Sequence, residues 1–171
     1  KILVTGSEGQ LGRCFSSFFK EKYTILNPSE VDFDITDQNK VKNFLKKYNP
    51  DIILNCAAMT DVDGCENNPE IAEKVNALSI KSMLEIFQGF FVHISTDYVF
   101  DGKEGPYKEE DNVNPISIYG KTKLLGEEII IKNSKQWAIL RTNVLFGIDS
   151  KASFVNWVVN SLKFDKDINV V

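Results

Sequence analysis

The chain has 171 residues, of which 43% are hydrophobic and 26% charged, and 20 basic against 24 acidic side chains give a formal net charge of −4. This balance is typical of a folded globular domain, and the acidic pI near 5.1 disfavours broad binding to nucleic acid or to an anionic membrane. No apolar run approaches the roughly 20 residues of a membrane helix, so we expect no membrane span. Its 3 cysteines include no CxxC pair, which predicts reduced thiols and no metal site. Because the first residues already resemble a strand, we expect no signal peptide and predict a cytoplasmic protein.

Short apolar runs alternate with longer helical patterns along the chain. The predicted strands are Ile2–Thr5, Tyr23–Leu26, Asp51–Asn55, Phe90–Ser95, Trp137–Arg141 and a last one from Ile168. The predicted helices are Gln10–Phe19, Asp37–Lys47, Pro69–Phe87, Ile118–Lys132 and Ser153–Leu162. Strands that are continuously apolar, as at 52–54 and 90–92, indicate burial on both faces. The alternation predicts an α/β fold, a doubly wound parallel sheet of the Rossmann type.

Two features of this pattern concern the extent of the chain. The sequence stops at 169–171 inside a predicted strand, and the connection at 87–90 is short for a passage from helix to strand. We therefore expect residues 1–171 to form one nucleotide-binding domain with the start of a truncated second lobe near 165–171, or to contain an internal gap.

A glycine-rich turn follows the first predicted strand and opens the first predicted helix. Gly6, Gly9 and Gly12 are spaced GxxGxxG. Such a turn lets the backbone approach a pyrophosphate, while the helix N-terminus adds N–H donors and a positive dipole end. An ordinary glycine-containing β–α turn is the alternative, but the position between strand and helix favours dinucleotide binding.

The end of the second predicted strand bears on the choice of dinucleotide. An NAD site places an acid there to bind a ribose hydroxyl, whereas residues 26–28 are Leu-Asn-Pro. Arg13 is placed to contact a 2′-phosphate, unless it is only a solvated helix residue. NADPH is therefore favoured, with NADH as the alternative.

Tyr119 and Lys123 form a YxxxK pair at the start of a predicted helix. Residues i and i+4 share a helix face, and a nearby cation lowers the pKa of a phenol, which could then protonate a carbonyl oxygen as hydride arrives. The pair alone is common on exposed helices, and its combination with the glycine turn is what predicts chemistry. Ser95 and Thr96 end the fourth strand and offer a hydroxyl to a substrate oxygen, or merely form a turn. His93, the only histidine, is expected in the core or behind the site rather than as a general base.

Together these residues resemble the extended short-chain dehydrogenase/reductase superfamily, and within it the dTDP-4-dehydrorhamnose reductase family. The matching stretches run in family order and are TGSEGQLGR (5–13), DFDITD (32–37), PDIILNCAAMTDVDGCE (50–66), KVNALS (74–79), HISTDYVFDG (93–102), PYKEEDNVNPISIYGKTKLLGEE (106–128) and LRTNVLFG (140–147). The chain departs from the family at Val144, where an aromatic is expected against the substrate, and within 60–66. These departures leave the identity of the sugar open.

The resemblance also implies roles for individual residues. The implied catalytic set is Thr96, Tyr119 and Lys123. The implied cofactor contacts are Gly6, Glu8, Gly9, Gln10, Leu11, Gly12, Arg13, Asp34, Ile35, Cys56, Ala57, Ala58, Thr60, Asn76, Tyr119 and Lys123. The implied substrate contacts are Thr96, Asp97, Tyr98, Val99 and Val144.

The reaction implied by the resemblance is NAD(P)H-dependent reduction of the 4-keto group of a dTDP-4-keto-6-deoxy sugar, dTDP-4-dehydrorhamnose to dTDP-L-rhamnose. The expected partner is this nucleotide sugar, with a homodimer left open and no nucleic acid or membrane partner. One alternative is a non-catalytic, NADP-binding regulatory subunit of the methionine adenosyltransferase type, which resembles the same family. Another sugar-nucleotide epimerase or dehydratase is the second.

Overall fold

The centre of the molecule is a parallel sheet, seen here in a computed structural model that describes residues 1–145, 147 and 154–164. Within that part of the chain its strands are β1 (Ile2–Thr5), β2 (Ile25–Leu26), β3 (Ile52–Asn55), β4 (Phe90–Thr96) and β5 (Trp137–Thr142). Their order is β2-β1-β3-β4-β5, and all neighbouring pairs are parallel. The chain therefore moves from β1 to one side and returns to the other, so β1 and β3 flank the switch point where ligands of such sheets bind.

Helices cover both faces of this sheet. They are α1 (Gln10–Phe19), α2 (Gln38–Tyr48), α3 (Val62–Asn67), α4 (Pro69–Glu73), α5 (Ser79–Leu84), α6 (Ile118–Asn133) and α7 (Phe154–Lys163). A π-helical turn, Lys74–Leu78, joins α4 to α5, and a 3₁₀ turn, Asp97–Val99, follows β4. None of the helices in the described ranges is long and apolar enough to cross a membrane.

Successive side chains of β1 point to opposite faces of the sheet, where they join two separate hydrophobic cores. Leu3 packs with residues of α2, α5 and α6 on one face, whereas Ile2 and Val4 pack with Phe15 of α1 on the other. Both faces of the strand are therefore buried, as the continuous apolar runs predicted. The expectation of a doubly wound α/β fold is confirmed.

Most element positions follow from local sequence. The predicted bounds of β1 and α1 agree with those observed, and Asp37 caps α2 by accepting hydrogen bonds from the Asn39 and Lys40 amides at 2.9 and 3.1 Å. Pro69 occupies the first turn of α4, where its missing N–H costs nothing.

The helix predicted over 69–87 is found, but its middle turn is π-helical and it ends earlier than predicted. The chain forms α4, the π-helical turn and α5, and α5 ends at Leu84, so the connection to β4 is longer than predicted. The helix α3 was not expected, because Asp63 and Gly64 favour turns over helices. The strand predicted from Ile168 and the lobe expected near 165–171 lie outside the described residues.

Candidate active site

The glycine turn after β1 is held against the start of the segment that follows β3. Gly6 has a φ of +61°, and a Cβ on it would lie 2.7 Å from the Ala57 nitrogen. A Cβ on Gly12 would lie 2.5 Å from the Gly6 carbonyl oxygen. Only glycine allows both the positive φ and these two backbone approaches, so the turn folds closely over the carboxyl ends of β1 and β3.

The first turn of α1 fits an anionic group. Its cap is Gly9, which has no side chain to occupy the helix N–H groups, and residues 10–13 include no acid. Glu8 turns toward the adjoining loop, where its carboxylate accepts a hydrogen bond from the Glu30 amide at 3.3 Å. The helix N-terminus therefore keeps donors and a positive dipole end for a pyrophosphate, and these residues fit a dinucleotide.

A cleft of about 590 Å³ runs from this turn to the start of α6. It brings together most of the predicted cofactor, catalytic and substrate residues, namely Gly6, Glu8, Gly9, Gln10, Leu11, Gly12, Arg13, Cys56, Ala58, Thr60, Thr96, Asp97, Tyr98, Tyr119, Lys123 and Val144. Arg13 and Val144 are exposed at its edge. Two motifs more than 100 residues apart in the sequence thus share one cavity.

Thr96 and Ser95 point to different partners. Tyr119 is largely buried near the Thr96 hydroxyl, and its ring meets that of Tyr98 edge-on at 5.7 Å. The Thr96 hydroxyl donates a hydrogen bond to Asp97 Oδ1 at 3.2 Å. Ser95 instead donates a hydrogen bond to the buried carboxylate of Glu127. Only the Thr96 hydroxyl is therefore beside the phenol.

The pKa of Tyr119 is raised from its ordinary value, chiefly because the phenol is buried. The nearby Thr96 hydroxyl acts to lower the pKa, since it can stabilise the phenolate. The Lys123 ammonium donates to the Ile94 carbonyl instead and is not among the groups that shift this pKa. The expected lowering of the pKa by Lys123 is thus not seen here.

Lys123 is fully buried below the cleft. Its Nζ donates a hydrogen bond to the Ile94 carbonyl at 2.6 Å and lies 3.2 Å from His93 Nε2. Burial lowers the pKa of this lysine to about 8, while Glu127 and Cys56 act to raise it. The thiol of Cys56 is not a nucleophile near neutral pH, because burial raises its pKa to about 12.

An ion pair lies behind this site. Arg141 of β5 donates to both carboxylate oxygens of Glu127, with Nη2 at 2.7 Å from Oε2. Glu127 is 1% exposed, and it lies one helical turn after Lys123. Sequence reasoning missed this pair, although a glutamate four residues after Lys123 shares its helix face.

Some residues expected to touch a ligand lie elsewhere. Ile35 and Val99 are buried in the protein interior, and Asp34 accepts hydrogen bonds from the amide and hydroxyl of Thr36 at 2.8 Å. Ala57 backs the glycine turn through its backbone. These side chains do not line the cleft, and their predicted contacts stay predictions.

Asn76 supports the site from the π-helical turn. Its amide accepts from the Met59 N–H at 2.8 Å and donates to the Met59 carbonyl and to Thr122 Oγ1, both at 3.1 Å. It therefore ties the segment after β3 to α6 at the residue before Lys123. Among the described residues, no three His, Cys, Asp or Glu side chains gather as metal ligands would.

The chain is similar to several known proteins. Residues 1–171 match the family model described as RmlD substrate binding domain. The spore coat polysaccharide biosynthesis protein SpsK of Bacillus subtilis is 38% identical over 100% of this chain and 62% of its own length. Methionine adenosyltransferase 2 subunit beta of Xenopus laevis is 34% identical over 90% of this chain and 49% of its own.

A solved structure is also similar to this chain. The dTDP-4-dehydrorhamnose reductase of Bacillus anthracis in complex with NADP has a TM-score of 0.91 and 33% identity, covering 95% of this chain and 59% of that one. The chain thus spans about half to three fifths of the length of these three proteins. It belongs to the RmlD substrate binding domain family, which confirms the resemblance to dTDP-4-dehydrorhamnose reductases.

Proposed function

We propose that the protein is an NAD(P)H-dependent reductase of a nucleotide sugar, and that it reduces the 4-keto group of dTDP-4-dehydrorhamnose to give dTDP-L-rhamnose. The observation that carries this proposal is the shared cleft: a glycine turn suited to a pyrophosphate at one end, and Tyr119 with Thr96 and Lys123 at the other. A dinucleotide bound on the turn would extend toward the phenol.

Reduction of a ketone needs a hydride on carbon and a proton on oxygen. When bound, the reduced nicotinamide supplies the hydride. Tyr119 donates its phenolic proton to the sugar oxygen, and the raised pKa keeps that proton in place at neutral pH. The Thr96 hydroxyl near the phenol would stabilise the phenolate that remains by donating a hydrogen bond to it. Lys123 lies below the same cleft, and its proposed role is to bind the cofactor ribose and to add positive charge.

NADPH is the proposed cofactor, with NADH as the alternative. Arg13 is exposed at the rim of the cleft, next to the glycine turn. A guanidinium there would pair with a 2′-phosphate. The NADP in the Bacillus anthracis structure supports the same choice.

The sugar would lie at the mouth of the cleft. Asp97, Tyr98 and Val144 line this end, and Tyr98 and Val144 are 52% and 66% exposed. Val144 has a smaller apolar surface than an aromatic side chain would have, so the protein offers less area for stacking against the sugar.

Tyr119→Phe tests the proposal because it removes one oxygen and leaves the ring in place. We expect turnover of dTDP-4-dehydrorhamnose to fall at least about a hundredfold while NADPH affinity is unchanged. Tyr48→Phe is the matched control, since that ring packs on Phe44 of α2 and does not line the cleft. Near-normal turnover by Tyr119→Phe would contradict the proposal.

A second candidate is a non-catalytic NADP-binding regulatory subunit. The similarity to methionine adenosyltransferase 2 subunit beta favours it. A binding module has no chemical need for Tyr119 beside Thr96, which is why we place the reductase first. Co-purification of a methionine adenosyltransferase, with no keto-sugar turnover, would reverse that order. An epimerase or dehydratase ranks below both, because a dehydratase needs a second acid beside Asp97, and that position is Tyr98.

A further inference from the structure

A row of polar side chains crosses the sheet directly beneath Lys123. The strand register places Thr5 beside Asn55 and Asn55 beside His93, on three adjacent strands. All three are at most 1% exposed. Thr5 Oγ1 donates to Asn55 Oδ1 at 2.5 Å, Asn55 Nδ2 lies 3.0 Å from His93 Nδ1, and His93 Nε2 lies 3.2 Å from Lys123 Nζ. A continuous chain therefore links the residue before Gly6 to the lysine.

The row of hydrogen bonds from Thr5 to Lys123 has a limited number of hydrogens to share. Burial and the neighbouring lysine lower the pKa of His93 well below its ordinary value, so the ring is neutral and carries one hydrogen. An ammonium group can only donate. If Lys123 is charged, His93 Nε2 must accept, and the ring hydrogen must be on Nδ1. If Lys123 is neutral, its lone pair can instead accept a hydrogen from Nε2.

The rest of the row fits either arrangement. With the ring hydrogen on Nδ1, Asn55 presents its oxygen to His93. With the hydrogen on Nε2, it presents its nitrogen. The amide exchanges these atoms by a half-turn, and both orientations suit Thr5, whose hydroxyl can donate or accept while it also accepts from the Ala57 amide at 3.2 Å. In each charge state of Lys123, His93, Asn55 and Thr5 therefore remain joined by hydrogen bonds from one residue to the next.

We propose that His93 is a positioning residue for Lys123, and that the imidazole holds the lysine in both charge states by exchanging tautomers together with a turn of the Asn55 amide. The part of this proposal that concerns catalysis rests on the proposed function of Lys123. The tautomer exchange itself requires neither substrate nor cofactor.

Several charged or titratable groups surround the lysine and set where the exchange occurs. His93 faces it from β4, Cys56 from the end of β3, and Glu127 from its own helix, with Arg141 of β5 paired to Glu127. Burial is the largest influence and lowers the pKa of Lys123 to about 8. The exchange is therefore expected in the mildly alkaline range, where enzyme assays are practical.

Nitrogen NMR of histidine tests the proposal directly, since the 171 residues contain 1 histidine. The two ring nitrogens of ¹⁵N-labelled protein differ strongly in shift according to which carries the hydrogen. We expect the Nδ1–H tautomer at about pH 6 and the Nε2–H tautomer at about pH 10, with a midpoint near the pKa of Lys123. In Lys123→Met the tautomer should no longer depend on pH. A single tautomer in the wild-type protein over this range would overturn the proposal, and so would an unchanged transition in Lys123→Met.

Kinetics supply a second readout that a purely structural role would not change. His93→Leu removes the acceptor for the ammonium, so the alkaline limb of kcat should move to lower pH by about one unit. His93→Gln keeps an amide that can donate or accept, and should restore part of the shift. Phe91→Leu is the matched control, because Phe91 is equally buried on the same face of β4 and has no polar atom. An unshifted limb in His93→Leu, or the same shift in Phe91→Leu, would contradict the positioning role. Absence of turnover in the wild-type protein would contradict the proposed function and leave the NMR result standing.

Discussion

Removing the carboxylate of Glu127 should destabilise the fold and alter Lys123. Glu127 is 1% exposed and accepts hydrogen bonds from Ser95 and from two nitrogens of Arg141. Glu127→Ala leaves a guanidinium without its partner, a change that typically costs 3–5 kcal/mol in a buried pair. Arg141 keeps a bond to the Glu109 carbonyl at 3.1 Å, so we expect about 3 kcal/mol, or on the order of 10 °C in Tm.

Urea unfolding measures this loss, and the next residue provides the control. Glu128 is on the same helix but exposed, and Glu128→Ala should change the free energy of unfolding by less than about 0.5 kcal/mol. Glu127 also raises the pKa of Lys123, so Glu127→Ala should move the alkaline limb of activity to lower pH. If Glu127→Ala and Glu128→Ala unfold at the same urea concentration, the ion pair does not stabilise the fold as argued.

Three further predictions concern the glycine turn, the cofactor and acid stability. Gly12→Ala places a Cβ 2.5 Å from the Gly6 carbonyl oxygen, so NADPH affinity should fall at least about tenfold in a fluorescence titration. Gly9→Ala, whose Cβ would lie 3.2 Å from the same oxygen, should lose less, and equal losses would contradict this. Arg13→Ala should weaken NADPH binding and leave NADH binding unchanged, and equal effects on both would remove Arg13 from the phosphate site. The pKa of His93 is lowered well below 6.5 in the fold, so the unfolded chain binds more protons below that pH. Stability should therefore fall as the pH drops below about 6.5, by up to about 1 kcal/mol per unit. Urea unfolding of His93→Gln should show a smaller fall, and an identical pH dependence would show that His93 is not the group responsible.

The sequence was most informative where local chemistry decides structure. Gly6 and Gly12 mark a turn that no other residue permits, and the apolar run of β3 indicates a strand buried on both sides. The capping of α2 by Asp37 likewise depends only on its own neighbours. These features predict the fold class and the glycine turn that lines one side of the cleft.

Long-range contacts account for what the sequence did not predict. The pattern at 69–87 contains no interior proline or glycine, yet the helix changes its geometry at Asn76, whose amide bonds Met59 and Thr122. Lys123 Nζ lies 3.2 Å from His93 Nε2, which is 30 residues away in the sequence. Helix periodicity places Tyr119 and Lys123 on one face, but it cannot reveal that the lysine turns to the sheet and leaves Thr96 as the hydroxyl beside the phenol.

The most direct test of the central claim is the loss of NADPH absorbance when dTDP-4-dehydrorhamnose is added to the protein, measured beside Tyr119→Phe. Our account predicts turnover by the wild-type protein, and its loss in Tyr119→Phe with NADPH binding intact. Turnover that survives in Tyr119→Phe, or tight NADPH binding without any reduction by the wild-type protein, would contradict it.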